Sequence, residues 1–299
     1  GADGKIVSAG ATGGFTDITN AMITRHLPDG APDTGFGTGG VVVLDNLTKA
    51  VDVVLQPDGK TVVAGMPIGS TNRRVVRLDA AGLPDASFGA DGVVTLPDAT
   101  HGQPTALGID GDGRVVMGGI GSGSNPVYRS PYFARLLATG ELDMAFDGDG
   151  FVTFSQVLGQ VHDLVVLEDG SIVATGYKDY TASFVLRVLP SGALDTSFGD
   201  AGVSTVPNSA LLNRIAREAN GGFLAAGVFL SPGNINNFEV GIVRFDDKGV
   251  RDMTFGDNGF VRQNVAYDGL LQPDGKIVLA GRGFSPKSGT DFGLVRIAP

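Results

Sequence analysis

Three aspartates, Asp52, Asp163 and Asp268, are the residues whose type and spacing best suit chemistry. Each stands six positions before the aspartate of a turn, at Asp58, Asp169 and Asp274, and the same column holds Ala106 and Arg214 in other repeats. Carboxylates gathered on one axis would offer oxygen ligands to a hard cation such as Ca2+. That arrangement would serve a metal-assisted hydrolase or lactonase. The competing expectation is structural: each Asp accepts backbone N–H groups from the next repeat, and Arg214 balances the charge. A second set is aromatic and polar. Tyr128, Tyr132, Tyr177, Tyr180, Phe229 and Asn234 fall in or beside the stretches that vary most between repeats. Such residues build adaptable binding surfaces for a protein or carbohydrate ligand.

Other chemistry finds little support. His26, His101 and His162 share no metal-ligand spacing, and the chain has no cysteine. No Gly-x-Ser-x-Gly elbow occurs. The run Gly35 to Gly40 fits a dinucleotide pattern, but it recurs as a turn and opens a strand rather than a helix. Asp147-Gly148-Asp149-Gly150 lacks the distal Glu of a helical calcium loop. No catalytic residue is assigned, and calcium is the one cofactor raised.

What must position these residues is a repeat. Leu55 to Gly65 returns almost verbatim as Leu271 to Gly281, with weaker copies at Asp3-Gly4, Asp112-Gly113, Asp169-Gly170 and Asn220-Gly221. The copies lie roughly 54 residues apart. Each unit reads as four strands. The first ends at the Asp-Gly turn, where Gly takes the left-handed conformation. The second is a nearly continuous apolar run and should be covered on both faces. The third always carries an Arg, at Arg25, Arg77, Arg135, Arg187, Arg244 and Arg296. A regular connection follows, opening on Asp33, Asp85, Asp143, Asp195 or Asp252 and carrying Phe36, Phe88, Phe146, Phe198 or Phe255. Arg and Asp are expected to pair, since a buried charge needs a partner. The Phe is expected to plug the gap between neighbouring units. The stretch 208–221 has the spacing of a capped helix, yet its place in the repeat predicts a first strand.

Four strands in about 50 residues is the signature of a propeller blade. The expectation is an all-β, six-bladed β-propeller of four-stranded antiparallel blades forming a single domain over 1–299. The repeats are approximately 1–45, 46–97, 98–155, 156–207, 208–263 and 264–299. The sequence opens at a second strand and stops just past a third-strand Arg, so the end blades are read as incomplete. Such an edge could accept a strand from a partner.

The order Gln56-Pro57-Asp58-Gly59-Lys60, Arg77-Leu78, Asp85-Ala86-Ser87-Phe88-Gly89 resembles the bacterial delta-60 repeat family. That resemblance implies a β-propeller and export, to an extracellular, periplasmic or cell-surface location with the leader removed. It carries no common catalytic residues. Repeats three and five depart most, at Ile109-Asp110-Gly111 and Arg217-Glu218-Ala219.

Composition narrows the partners. A net charge of −10 lacks the basic footprint of nucleic-acid binding. No apolar run is long enough to span a membrane as a helix. The function expected is therefore a binding or scaffold module acting through variable loops on one face. The alternatives are the metal-assisted hydrolase above and an assembly subunit that pairs through an open blade edge.

Overall fold

The computed structural model describes residues 3–12, 20–67, 69–70, 72–96, 101–121, 130–179, 182–231, 234–263, 268–271, 276–285 and 289–297. Every described element is a β-strand, and every strand pairing is antiparallel. Among the described residues, no helix is long and apolar enough to cross a membrane. The chain divides into two compact units, one ending at Thr153 and the other resuming at Phe154.

The first unit contains three sheets. β1 (Ile6–Ala11), β2 (Ala21–His26) and β3 (Val41–Leu44) form a three-stranded sheet. β4 (Lys49–Leu55), β5 (Thr61–Met66), β6 (Arg73–Leu78) and β7 (Val93–Leu96) form a four-stranded meander. So do β8 (His101–Ile109), β9 (Val115–Gly121), β10 (Pro131–Leu136) and β11 (Phe151–Thr153). The second unit repeats the scheme. Its first meander is β12 (Gln160–Val166), β13 (Ile172–Asp179), β14 (Ala182–Val188) and β15 (Val203–Pro207). Its second is β16 (Ser209–Arg217), β17 (Phe223–Ser231), β18 (Asn234–Phe245) and β19 (Phe260–Gln263). β20 (Asp268–Leu271), β21 (Ile277–Ser285) and β22 (Gly289–Ile297) form a three-stranded sheet.

Local chemistry explains the hairpins. At Asp58-Gly59-Lys60 the Asp58 Oδ1 accepts the Lys60 N–H at 3.2 Å, and Gly59 sits at φ 84°. Gln56 N–H then closes onto Lys60 O at 2.8 Å. In the third repeat Asp110 takes over, accepting the N–H groups of Asp112 and Arg114. The stretch with helical spacing is β16, with Leu212 and Ile215 buried. Its apolar residues gain more from packing between sheets than a lone helix would gain from propensity.

Second strands sit inside. Val62, Val63 and Ala64 of β5 are all fully buried, because a neighbouring sheet covers each face. Val63 packs with Ile23, Phe36 and Val76, whereas Val62 packs with Phe88, Val115 and Tyr132. In the second unit Val173, Val185, Phe198, Leu212, Phe223 and Val243 form the equivalent layer. Each large apolar side chain so buried contributes about 2 kcal/mol.

A clasp joins one sheet to the next. Third-strand Arg77 donates Nε to Asp85 Oδ2 at 2.7 Å, and its guanidinium lies 4.5 Å from the centroid of the Phe88 ring. The pairs Arg25–Asp33, Arg135–Asp143, Arg187–Asp195 and Arg244–Asp252 repeat the bond, and Phe36, Phe146, Phe198 and Phe255 repeat the ring. Arg77 Nη1 then reaches Ala138 O of the following sheet at 2.8 Å, as Arg187 Nη1 reaches Asp247 O at 3.0 Å. Burial alone would raise the Asp85 carboxyl. Hydrogen bonds from Ser87 and Lys60, with the charge of Arg77, outweigh it and hold the acid well below its ordinary range.

Candidate functional site

The column of Asp52 and Asp163 is set by a β-bulge. In β4 the register with β5 slips between Ala50 and Asp52, and in β12 it slips between Val161 and Asp163. β8 slips before Ala106 and β16 before Arg214. A bulge re-aims the side chain that follows it. Asp52 thereby reaches the next sheet, where its Oδ2 accepts the Leu107 N–H at 2.7 Å while Oδ1 accepts Val53 N–H at 2.8 Å. Asp163 Oδ2 likewise accepts the Ile215 N–H at 2.8 Å. Both carboxylates are therefore tethers between consecutive first strands. Arg214 Nη1 stands 3.9 Å from Asp163 Oδ1. Asp268 opens β20 and pairs with Ala280, but its side chain lies outside the described residues.

The bulge also dictates a glycine. A Cβ on Gly176 would lie 1.8 Å from the Gln160 carbonyl oxygen, and one on Gly65 would lie 2.3 Å from that of Lys49. Gly119 and Gly227 meet Gln103 and Leu211 in the same way. In these four repeats the Gly that ends the second-strand run is thus the space into which the bulged strand presses.

His162, the bulged residue, is packed beside Tyr177 with ring centroids 5.9 Å apart, and its Nε2 contacts the Gln160 amide. Burial, seconded by the charge of Arg214, pushes its pKa down to about 4. The imidazole is neutral at ordinary pH. Among the described residues, no three His, Asp or Glu side chains gather closely enough to hold a metal ion.

The aromatic set divides. Tyr132 is the second residue of β10 and is fully buried, with the fully buried Arg73 guanidinium 5.2 Å from its ring. Phe229 in β17 is also fully buried, edge-on to Phe260 at 5.2 Å. Neither ring stands on an open loop surface as expected. The hairpin strands run further than the sequence pattern marked, and they carry these residues into the layers between sheets. Tyr177 near the end of β13 is half-buried. Asn234 begins β18 opposite Ser231, but its side chain is outside the described residues, as are Tyr128 and Tyr180.

Sequence reasoning passed over one further place. A cavity of about 480 Å³ in the fifth repeat is lined by Glu218, Asn220, Arg244, Val250 and Asp252. Glu218 occupies the position of Gln56, and Gly222 that of Lys60. Lys60 supplies Asp85 with an ammonium at 3.1 Å, which Gly222 cannot do for Asp252. Arg244 compensates by giving both Nε and Nη2 to Asp252 Oδ2, at 2.9 and 2.6 Å. Hydrogen bonds from Thr254, then Arg244, lower Asp252 to about 2. Burial raises Glu218, whose enclosed Oε2 has no hydrogen-bond donor among the described residues. The departure Arg217-Glu218-Ala219 was the available signal, but only coordinates show the space beside it.

A family profile described as "Domain of unknown function (DUF5122) beta-propeller" matches residues 56–88, 167–198 and 272–299. No curated protein matches by sequence. Among solved structures, polysaccharide lyase Uly1 shares 14% identity at a TM-score of 0.51, over 99% of this chain and 80% of the lyase. The PQQ-bound aldose sugar dehydrogenase of Streptomyces coelicolor shares 13% at 0.53, over 98% of both chains. A glucose dehydrogenase shares 11% at 0.50, over 98% of this chain and 99% of the enzyme. At such identities the likeness is one of fold, and a fold does not carry its activity with it. The three matched windows and the shared all-β architecture together support a β-propeller repeat family.

Proposed function

We propose that the six sheets are the blades of one exported six-bladed propeller, and that it is a binding module. Its working face is formed by the ends of the hairpins joining second to third strands, and its ligand is a carbohydrate or protein. One observation carries this reading. The hairpins vary in length from repeat to repeat, and their paired strands run longest in the fifth and sixth repeats. β5 and β6 have 6 residues each, whereas β17 and β18 have 9 and 12, and β21 and β22 have 9 each. In the fifth repeat the pairs Phe229↔Glu239 and Leu230↔Phe238 lie beyond the last residue that β19 covers, Val240. Extensions from a rigid scaffold are where binding residues gather. The solved structures that resemble this chain include a polysaccharide lyase and two sugar dehydrogenases, which makes soluble polysaccharides a reasonable first panel. The test shortens the β17–β18 hairpin to the length of β5–β6 and titrates parent and variant against that panel. Retention by the parent and loss by a folded variant are expected. Equal binding by both would remove the hairpin face from consideration.

The hydrolase alternative needs the axial aspartates to bind calcium. The tethers of Asp52 and Asp163 weigh against it, because an ion would compete with the Leu107 and Ile215 N–H groups for their oxygens. Calcium or chelator is expected to leave the melting temperature unchanged. A calcium-dependent rise abolished by Asp52→Asn would instead favour the metal site.

A further inference from the structure

Two asparagines of the chain precede a glycine, Asn220 and Asn258. An Asn-Gly peptide carries its own reagents. The glycine nitrogen can attack the asparagine Cγ, because no side chain on the glycine stands in the way. The two pairs are held differently. At Asn220 every group that must move is anchored. Gly221 N–H donates to Glu218 O at 3.0 Å, and Glu218 N–H closes onto Gly222 O at 2.8 Å. Asn220 Oδ1 accepts the Gly222 N–H at 2.8 Å.

Asn258 and Gly259 are the central residues of a tight turn, at φ 50° and 83°. The turn is closed by Phe260 N–H to Asp257 O at 3.1 Å and by Asp257 N–H to Phe260 O at 2.8 Å. Other repeats anchor the equivalent glycine further. Gly40, Gly92, Gly150 and Gly202 donate their N–H groups to the carbonyls of Phe36, Phe88, Phe146 and Phe198. Their own carbonyls accept the N–H groups of Arg25, Arg77, Arg135 and Arg187. Among the described residues, Gly259 makes neither bond. It is buried, so bulk water does not readily replace them. Asn258 itself is exposed, and Asp257 Oδ1 steadies its carboxamide by accepting Nδ2 at 2.8 Å.

We propose that Asn258 is a site of spontaneous deamidation in the folded protein, and that the anchors around Gly221 protect Asn220. Rotation about the Asn258 Cα–C bond swings the weakly held Gly259 nitrogen towards Cγ. That nitrogen gives up its proton and bonds to Cγ. The Cγ–Nδ2 bond breaks, ammonia leaves with the proton, and a cyclic imide joins the two residues. Water then opens the ring. Opening at Cγ leaves an aspartate at position 258, the residue type of Asp91 in the second repeat. Opening at the main-chain carbonyl leaves an isoaspartate, whose chain runs through the former side chain and is longer by one methylene. Either product adds a negative charge to a turn beside Arg251. That guanidinium lies 4.7 Å from the centroid of the Phe260 ring and has no carboxylate partner among the described residues. The site is independent of any ligand carried by the hairpin ends.

The test incubates the full 299-residue chain in warm, mildly alkaline buffer. Peptide mapping with mass spectrometry follows both asparagines and resolves aspartate from isoaspartate. In the folded protein Asn258 should convert at least about tenfold faster than Asn220, since its glycine opens locally and Gly221 does not. In concentrated urea the two rates should fall within about threefold of each other, because the anchors are gone. Both sites are read in one unmutated chain, so misfolding of a variant cannot imitate the result. Equal rates in the folded chain, or a preference for Asn258 that persists undiminished in urea, overturns the proposal. So does an Asn258 that stays intact in the folded chain over the time in which the unfolded chain converts.

Discussion

At the scale of single residues, the same carboxylate type does two different jobs. Asp85 neutralises a buried arginine within its own repeat, while Asp163 crosses to the next one. Replacing Asp163 by Ala strands the Ile215 N–H. The expected loss is about 2 kcal/mol, the cost of an unsatisfied buried donor, read by denaturant unfolding. A protein whose Asp163 served only to bind a ligand would keep its stability. His162 gives a pH signature. Its folded pKa is about 4, below the ordinary 6.5, so the unfolded chain takes up the proton first. Its contribution is intact above pH 6.5 and drains away as pH falls towards 4. His162→Gln should flatten the unfolding midpoint across that window. Asp33, Asp85, Asp195 and Asp252, all held below 3.8, lose their contribution only at lower pH.

At the scale of elements, the bulge and its facing glycine can be separated from the rest of the fold. Gly176→Ala places a methyl 1.8 Å from a backbone oxygen and should cost about 2 kcal/mol, because backbone cannot step aside cheaply. Gly10 in β1 stands at the corresponding point of the motif, yet a Cβ there meets nothing within 4 Å. Gly10→Ala should be neutral, and thermal melts of the two variants give the comparison. Much of this level is legible in the sequence. The Asp-Gly turns, the Arg of every third strand and the Phe after it recur, and recurrence overrode the helical spacing of β16. The bulges are not legible, because an extra residue in one strand leaves no mark on a period of two. Nor is the burial of Tyr132 and Phe229. How far a hairpin extends is decided by backbone pairing across its stem, which composition does not encode. The Asp column was readable as a position but not as a tether, since its partners are N–H groups that every residue carries.

At the scale of the whole molecule, the proposed ring makes a definite prediction. A closed propeller of this length should show a radius of gyration of about 19 Å by small-angle scattering, whereas sheets stacked in a line would give a clearly larger value. The −10 net charge favours a well-dispersed sample for that measurement. Within each unit the joints have a direction: Asp52 and Asp163 reach forward to an N–H of the next sheet, and the clasps of Phe36, Phe88 and Phe198 receive its glycine turn. An extra unit copied in frame into the gene would arrive with both halves of its coupling already matched to its neighbours. Tandem duplication could then add a module whose contacts to its neighbours are already matched.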